Sequence, residues 1–305
     1  LSQEDLKPVK SHEDLNKTVP AILATLLLAL SGLAFQACSR PESAWIEGSR
    51  IGIEFNSGMQ SRLVRNAGEG RVPLGEFRDS ETLLLPEGKA VAFVLSDVDT
   101  GVFTDGIGSG RRTVLKGEAP GLEKSVTAKI YDDFPDMAVF EVTYANTGSE
   151  PLPVQGWKNN GYHLSASAGD GPAFWAYQSA SHRDRRDWVL PLEPGYREEN
   201  YLGMNASDYG GGTPVIDVWN REAGVAVGHL EMVPKLVSLP TESLENRDVE
   251  LAVLYNHEDA LEPGRTLATM KTFVALHEGD FFNALEAYRN FMIRQGVTFD
   301  PYPDS

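Results

Sequence analysis

The chain has 305 residues, of which 41% are hydrophobic and 23% are charged, so its composition is that of a globular protein and excludes a disordered one. It carries 27 Lys and Arg against 44 Asp and Glu, and the resulting formal charge of −17 makes nucleic acids and anionic lipid headgroups poor candidate partners. A neutral ligand is not repelled by that charge. The single cysteine, Cys38, excludes an internal disulfide and a cysteine-based metal cluster.

The N-terminal part, residues 1–43, reads as a polar leader followed by a targeting segment. Residues 20–37 carry no charge, and their apolar core is closer to the length of a signal peptide than to that of a membrane span. The sequence FQAC, ending at Cys38, resembles a bacterial lipobox, although Phe35 stands where leucine is usual. We therefore expect secretion across the inner membrane, lipidation of Cys38, and a location in the periplasm or at the outer membrane. Plain secretion and a retained membrane anchor remain open alternatives.

Short strands dominate residues 44–278, which we predict to form one antiparallel β-sandwich domain. The clearest alternation places Phe140, Val142 and Tyr144 on one face and Glu141 and Thr143 on the other. Many short strands with turn signals between them, and almost no helical periodicity, are typical of an all-β sandwich or barrel. The predicted strands are residues 50–55, 90–95, 125–131, 138–145, 213–220, 224–231, 249–255 and 267–276.

One helix is predicted near the end of the chain, within residues 279–305. Asp280 can cap it, and an apolar stripe of Phe281, Leu285, Tyr288 and Met292 recurs at helical spacing before Gly296. A helix with such a stripe at a domain edge packs against a neighbour. We interpret it as a linker helix that leads into a further domain.

The carboxylates near the middle of the chain do not form a convincing catalytic or metal site. Asp97, Asp99 and Asp105 suggest a calcium loop, but Gly108 stands where such a loop needs glutamate, and a solvated acidic turn is the better interpretation. The acids of residues 132–136 flank a proline between two predicted strands and read as an exposed turn rather than as a paired acid and base. The six histidines lack metal-ligand spacing. We expect no cofactor and no metal.

Two stretches combine aromatic rings with planar amides or carboxylates, as sugar-binding sites do. GWKNNGYH contains Trp157, Asn159 and Asn160, and these residues equally suit a core tryptophan beside a turn. NYLGMNASDYGGGTPVIDVWN contains Asp208 and Tyr209 just before three glycines that allow close approach of another molecule. A glycine-rich hairpin tip without a ligand is the alternative for the second stretch.

Four motifs in order, YDDFPDMAVFEVTYANTG, GWKNNGYH, NYLGMNASDYGGGTPVIDVWN and GDFFNALEAYRNFM, resemble the N-terminal region of α-galactosidase-type (melibiase-like) glycoside hydrolases. The resemblance covers roughly residues 44–305. It implies a large β-supersandwich of the galactose-mutarotase-like kind, followed in such enzymes by a (β/α)8 barrel that carries two catalytic aspartates of a retaining mechanism. No residue of this chain corresponds to either aspartate.

The resemblance further implies that loops of the β-domain rim the active site of the barrel. Trp157, Asn159, Asn160, Asp208 and Tyr209 are the candidate carbohydrate contacts on that basis. We expect a non-catalytic domain of a retaining glycoside hydrolase acting on α-galactosides or related glycosides, with a carbohydrate substrate and the chain's own barrel as partners. The alternative is a stand-alone carbohydrate-binding module of a surface lipoprotein.

Overall fold

The computed structural model describes residues 40–68, 70–167, 171–178, 188–200, 213–233 and 235–298. These residues belong to one compact unit that begins at Arg40. Among them are nineteen strands and one α-helix, and every strand pairing is antiparallel. The predicted all-β class with a C-terminal helix is confirmed.

The strands form three sheets. The first has the order β1 (Ser43–Glu47), β2 (Ile51–Asn56), β3 (Ser61–Ala67) and β4 (Gly70–Pro73). The second has the order β13 (Arg197–Glu198), β16 (Thr241–Ser243), β17 (Val249–Leu261), β10 (Leu152–Leu164) and β5 (Thr82–Leu84).

The third and largest sheet has ten strands. Their order is β12 (Val189–Pro191), β11 (Trp175–Tyr177), β14 (Val215–Trp219), β15 (Gly224–His229), β19 (Thr272–His277), β9 (Met137–Asn146), β8 (Leu122–Tyr131), β7 (Ser109–Ala119) and β6 (Val94–Thr104), with β18 (Thr266–Ala268) also paired to β9.

Both faces of the large sheet are covered, each by a different partner. One face joins the other two sheets in the main core, where Phe140, Val142 and Tyr144 are buried as their alternation predicted. The other face carries the helix α1 (Phe281–Arg294), and Val215 and Phe273 meet it there in a second core. A sheet of this size buries one face in a sandwich and needs a further layer for the other.

Helix α1 follows its predicted boundaries because its ends carry the expected capping residues. Asp280 accepts a hydrogen bond from the Phe282 amide at 3.1 Å, and Gly296 adopts a φ of 102° just after the helix. Leu285 and Tyr288 from the predicted stripe pack against the second core. The most buried positions are Ala284, Phe291 and Met292, of which the stripe contained only the last.

Two predicted strands differ from the structure. Residues 90–93 are not strand, and β6 instead starts at Val94 and continues to Thr104, because β7 pairs with it along its whole length. Asp97 and Asp99 therefore lie in a strand, opposite Lys116 and Val114 of β7, rather than in an acidic turn. The predicted strand over residues 267–276 is divided into β18 and β19.

Candidate functional site

The three predicted sugar contacts of GWKNNGYH lie in β10 and are buried. Trp157 is 4% exposed and its ring lies 5.6 Å from that of Tyr255. Asn159 donates its amide hydrogen to the Thr269 hydroxyl at 2.9 Å, and Asn160 is fully buried. Since none of them exposes a ring face or an amide group, their burial favours the core interpretation that the sequence left open. Their contact with a sugar stays an untested prediction.

The other two predicted contacts, Asp208 and Tyr209, lie outside the described residues, as does Cys38. The structure does show how both ends of that loop are held. The Asn200 side chain donates to a backbone carbonyl at 3.0 Å, and the Thr213 hydroxyl lies 3.2 Å from the hydroxyl of Tyr177. Thr213, which follows the loop, therefore lies beside Tyr177, and Asn200, which precedes it, lies beside Leu239.

A buried polar cluster, made of Glu81, Lys124, Tyr144, Asn160 and Tyr162, lies inside the main core. Lys124 donates to the backbone carbonyl of Glu81 at 2.7 Å. The two carboxylate oxygens of Glu81, both tyrosine hydroxyls and both amide atoms of Asn160 have no hydrogen-bond partner within the described ranges. The cluster exists because the pairing of β10 with β17 is irregular between Asn159 and Tyr162, where Asn160 takes a φ of 49°.

The environment of this cluster favours neutral side chains. Burial raises the pKa of Glu81 to about 7, although the charge of Lys124 opposes the shift. Burial likewise lowers the pKa of Lys124 and raises the pKa of both Tyr144 and Tyr162 well above the ordinary value. A carboxyl group with a perturbed pKa can mark a functional site, but this one is enclosed on all sides.

A second buried titratable pair, Asp217 and His277, lies beneath the N-terminal end of α1. His277 Nε2 is 2.9 Å from Asp217 Oδ1, and its Nδ1 is 3.2 Å from the backbone carbonyl of Glu278. Both ring nitrogens thus face acceptors, an arrangement that suits the charged imidazolium. Burial opposes that charge, but the hydrogen bond and charge of Asp217 outweigh it and raise the pKa of His277. Complete burial raises the pKa of Asp217 despite its partner.

Gly224 makes room for this pair. Gly224 of β15 is paired with His277 of β19, and a Cβ atom at Gly224 would lie 2.2 Å from two atoms of the imidazole ring. Any larger residue would push the ring away from Asp217. The glycine is visible in the sequence GVAVGH of β15 and indicates that something approaches the strand closely at this point. It does not reveal that the approaching group is the His277 ring.

A groove of about 500 Å³ runs along α1 and has His277 in its wall. Arg50 crosses it, donating to Asp136 at 2.7 Å and lying 3.6 Å from Glu278. Asp133, also in the groove wall, accepts from Arg294 at 2.6 Å. These carboxylates are thus neutralised by arginines and are not free to act as an acid and base pair. The predicted exposed turn over residues 132–136 is present between β8 and β9.

An aromatic shelf, made of Trp175, Trp219, Phe281 and Phe282, lies where α1 begins. The Phe281 ring is 5.8 Å from Trp219 and 4.3 Å from Phe282, and it stacks on Tyr177 at 4.9 Å with an interplanar angle of 1°. Trp175 is 40% exposed and Phe282 is 66% exposed. Of these residues, Phe281 belongs to the predicted apolar stripe of the helix, and none of the four was a predicted site residue.

The described residues contain neither a metal-binding cluster nor a membrane-spanning helix. Within the described ranges, no three His, Cys, Asp or Glu side chains converge on a point where a metal ion would fit. Asp99 lies 3.5 Å from Arg112 and Asp105 accepts from the Tyr131 hydroxyl at 2.9 Å, so these acids have protein partners. The part of the chain that the structure describes also contains no helix with the length and apolarity that a bilayer span requires.

Comparison with known proteins places the fold among carbohydrate-active enzymes. No family profile matches the chain. The chain is 21% identical over 262 residues to an enzyme of Flavonifractor plautii named A type blood α-D-galactosamine galactosaminidase, with 83% of this chain and 23% of that enzyme covered. The match spans about a quarter of the length of that curated relative.

Solved α-galactosidases share the fold. The enzyme of Lactobacillus brevis matches with a TM-score of 0.59 at 11% identity, covering 83% of this chain and 42% of that one. A GH36 α-galactosidase of Geobacillus stearothermophilus matches with a TM-score of 0.57 at 12% identity, covering 82% and 42%. The predicted resemblance to α-galactosidase-type enzymes is confirmed for the fold, and this chain has the architecture of a domain found in glycoside hydrolases that are about twice as long.

Proposed function

We propose that this chain is the non-catalytic β-domain of a retaining glycoside hydrolase that acts on α-galactosides or related glycosides. The observation that carries the proposal is the shared fold, which extends over 83% of this chain but only 42% of an α-galactosidase. The remaining part of such an enzyme is where the chemistry would reside.

The carboxylates of the described residues support a non-catalytic role. Retaining hydrolysis needs two carboxyl groups about 5 Å apart on either side of an open sugar site. Glu81 is enclosed in the main core, Asp217 is enclosed beneath α1, and Asp136 is tied to Arg50. No two of these three share an accessible site.

The role of the domain is to rim the active site of a catalytic (β/α)8 barrel that follows it. In support, Thr213, which follows shortly after Tyr209 in the chain, lies beside Tyr177, on which the shelf residue Phe281 stacks. We further propose that Cys38 is lipidated and that the protein is a bacterial lipoprotein of the periplasm or outer membrane.

The test compares this chain with a longer protein that continues through a barrel, using a chromogenic α-galactoside. We expect hydrolysis by the longer protein with retention of anomeric configuration and no hydrolysis by this chain. Turnover by this chain alone would overturn the non-catalytic assignment. In the longer protein, Asp208→Ala should raise KM while the melting temperature stays nearly unchanged. Unchanged kinetics would show that Asp208 does not contribute to substrate binding.

A further inference from the structure

We propose that the aromatic shelf of Trp175, Trp219, Phe281 and Phe282 is a binding surface for a neutral hexose ring. It is distinct from the stretch GWKNNGYH, whose Trp157 is buried in the main core. The proposal rests on the proposed function only for its choice of galactose-containing probes. The binding itself requires this chain alone.

The sheet register places the two tryptophans side by side. Trp175 of β11 is paired with Trp219 of β14, and Trp219 is paired in turn with Gly224 of β15. Paired residues project from the same face of a sheet, so both indoles stand on the face that carries α1. The two indoles therefore occupy neighbouring positions on this face, and the row of paired residues continues through Gly224 to His277.

The first turn of α1 forms the wall of the shelf. Phe281 stacks on Tyr177 and contacts Trp219, which fixes its ring, and Phe282 lies against Phe281 with most of its surface open. Asp280 fixes this turn by capping the helix. The rings are therefore held in place before any ligand arrives, which reduces the entropy cost of binding.

Aromatic rings with carboxylates beside them suit a sugar better than they suit a purely apolar ligand. A pyranose ring presents apolar C–H groups on its faces, which pack on indole and phenyl rings, and hydroxyls at its edge, which need hydrogen-bond acceptors. Asp280 immediately precedes Phe281 and is exposed; its Oδ1 accepts from the Phe282 amide, which leaves Oδ2 as an acceptor for a sugar hydroxyl. The formal charge of −17 disfavours anionic ligands, so the sugar should be neutral.

The exposed position of two shelf residues makes the test direct. The chain is titrated with methyl α-galactoside and with a neutral galactose-containing trisaccharide, followed by tryptophan fluorescence and by saturation-transfer NMR. We expect saturable binding in which Trp175→Ala and Phe282→Ala each weaken affinity about ten-fold, and Trp175→Phe, which keeps a ring, weakens it less. Val102→Ala, at a residue 84% exposed on β6, is the matched control and should bind as the unchanged protein does.

Two outcomes would overturn the proposal: no saturable binding to the unchanged chain, or equal affinity of the unchanged chain and the Trp175→Ala variant. Near-native circular dichroism of each variant excludes misfolding as the cause of lost binding. Failure here is distinguishable from failure of the proposed function. If the shelf binds sugar but the longer protein hydrolyses no galactoside, the binding proposal stands and the hydrolase proposal is rejected. If the longer protein hydrolyses galactosides but the shelf binds no sugar, the hydrolase proposal stands and the binding proposal is rejected.

Discussion

The carboxyl group of Glu81 is strongly perturbed by the main core, because burial raises its pKa from 4.5 to about 7. The folded protein therefore binds this proton more tightly than the unfolded chain does. The stabilisation that results is fully present below pH 4.5 and is lost as pH rises through 7. Each pKa unit corresponds to about 1.4 kcal/mol, so the loss is on the order of 3 kcal/mol.

We expect Glu81→Gln, which cannot ionise, to remove this pH dependence. The measurement is the free energy of unfolding in urea at several pH values between 5 and 8 for both proteins. The unchanged protein should lose stability relative to the variant as pH rises across this range. Glu258→Gln, at an exposed position of β17, is the control and should follow the unchanged protein. Parallel pH profiles for the Glu81 variant and the unchanged protein would contradict the prediction.

The same cluster shows what the sequence leaves undecided at single residues. Asn159 and Asn160 are polar, and polar side chains in a stretch with glycine favour a loop or a ligand site. In the structure a strand irregularity turns them into the core, where Asn159 bonds Thr269 and Asn160 lies in the buried polar cluster. Thr269 and most members of the cluster, such as Glu81, are far from these residues in the sequence, so no local pattern could have indicated the burial.

At the scale of elements, the sequence predicted those strands and helices whose residue pattern is local, without reference to a partner element. The alternation of β9 and the caps of α1 are local patterns, and both elements were predicted within a few residues. Strand β10 lacks alternation because most of its side chains, which project from both faces of the sheet, are buried. Such a strand is recognisable only from its partners.

Phe291 is the largest side chain of helix α1 that is fully buried. This side chain meets the rings of Tyr131 and Phe134 edge-on, at 5.6 and 5.0 Å. We expect Phe291→Ala to lower the free energy of unfolding by about 3–5 kcal/mol, the usual cost of removing a buried phenyl ring. Urea denaturation followed by circular dichroism would measure it.

Phe282→Ala is the matched control, because the same residue type on the same helix is 66% exposed there. Its cost should stay within about 0.5 kcal/mol. The backbone amide of residue 282 still donates to Asp280 in this variant, so the cap is unchanged. If both variants lost equal stability, α1 would not be anchored through its buried face.

On the scale of the whole molecule, charge limits what the surface can bind. With 44 acidic against 27 basic residues, the protein is repelled by anionic membranes as well as by nucleic acids. Many arginines of the described residues are also occupied, as Arg50 is by Asp136 and Arg62 is by Glu54. Attachment to a membrane by electrostatic attraction is therefore disfavoured, whereas attachment through acyl chains is not.

This difference gives the lipoprotein proposal a distinctive test in a bacterial host. Acyl chains hold a protein by hydrophobic burial, which salt does not weaken, whereas electrostatic attachment is released by salt. We expect the protein to stay in the membrane fraction through a high-salt wash and to leave it only in detergent, and Cys38→Ser to release it into the soluble fraction. Ser39→Ala is the matched control and should stay in the membrane fraction. Mass spectrometry of the mature N-terminus should show a lipidated Cys38, and an unmodified cysteine within a longer chain would reject the anchor.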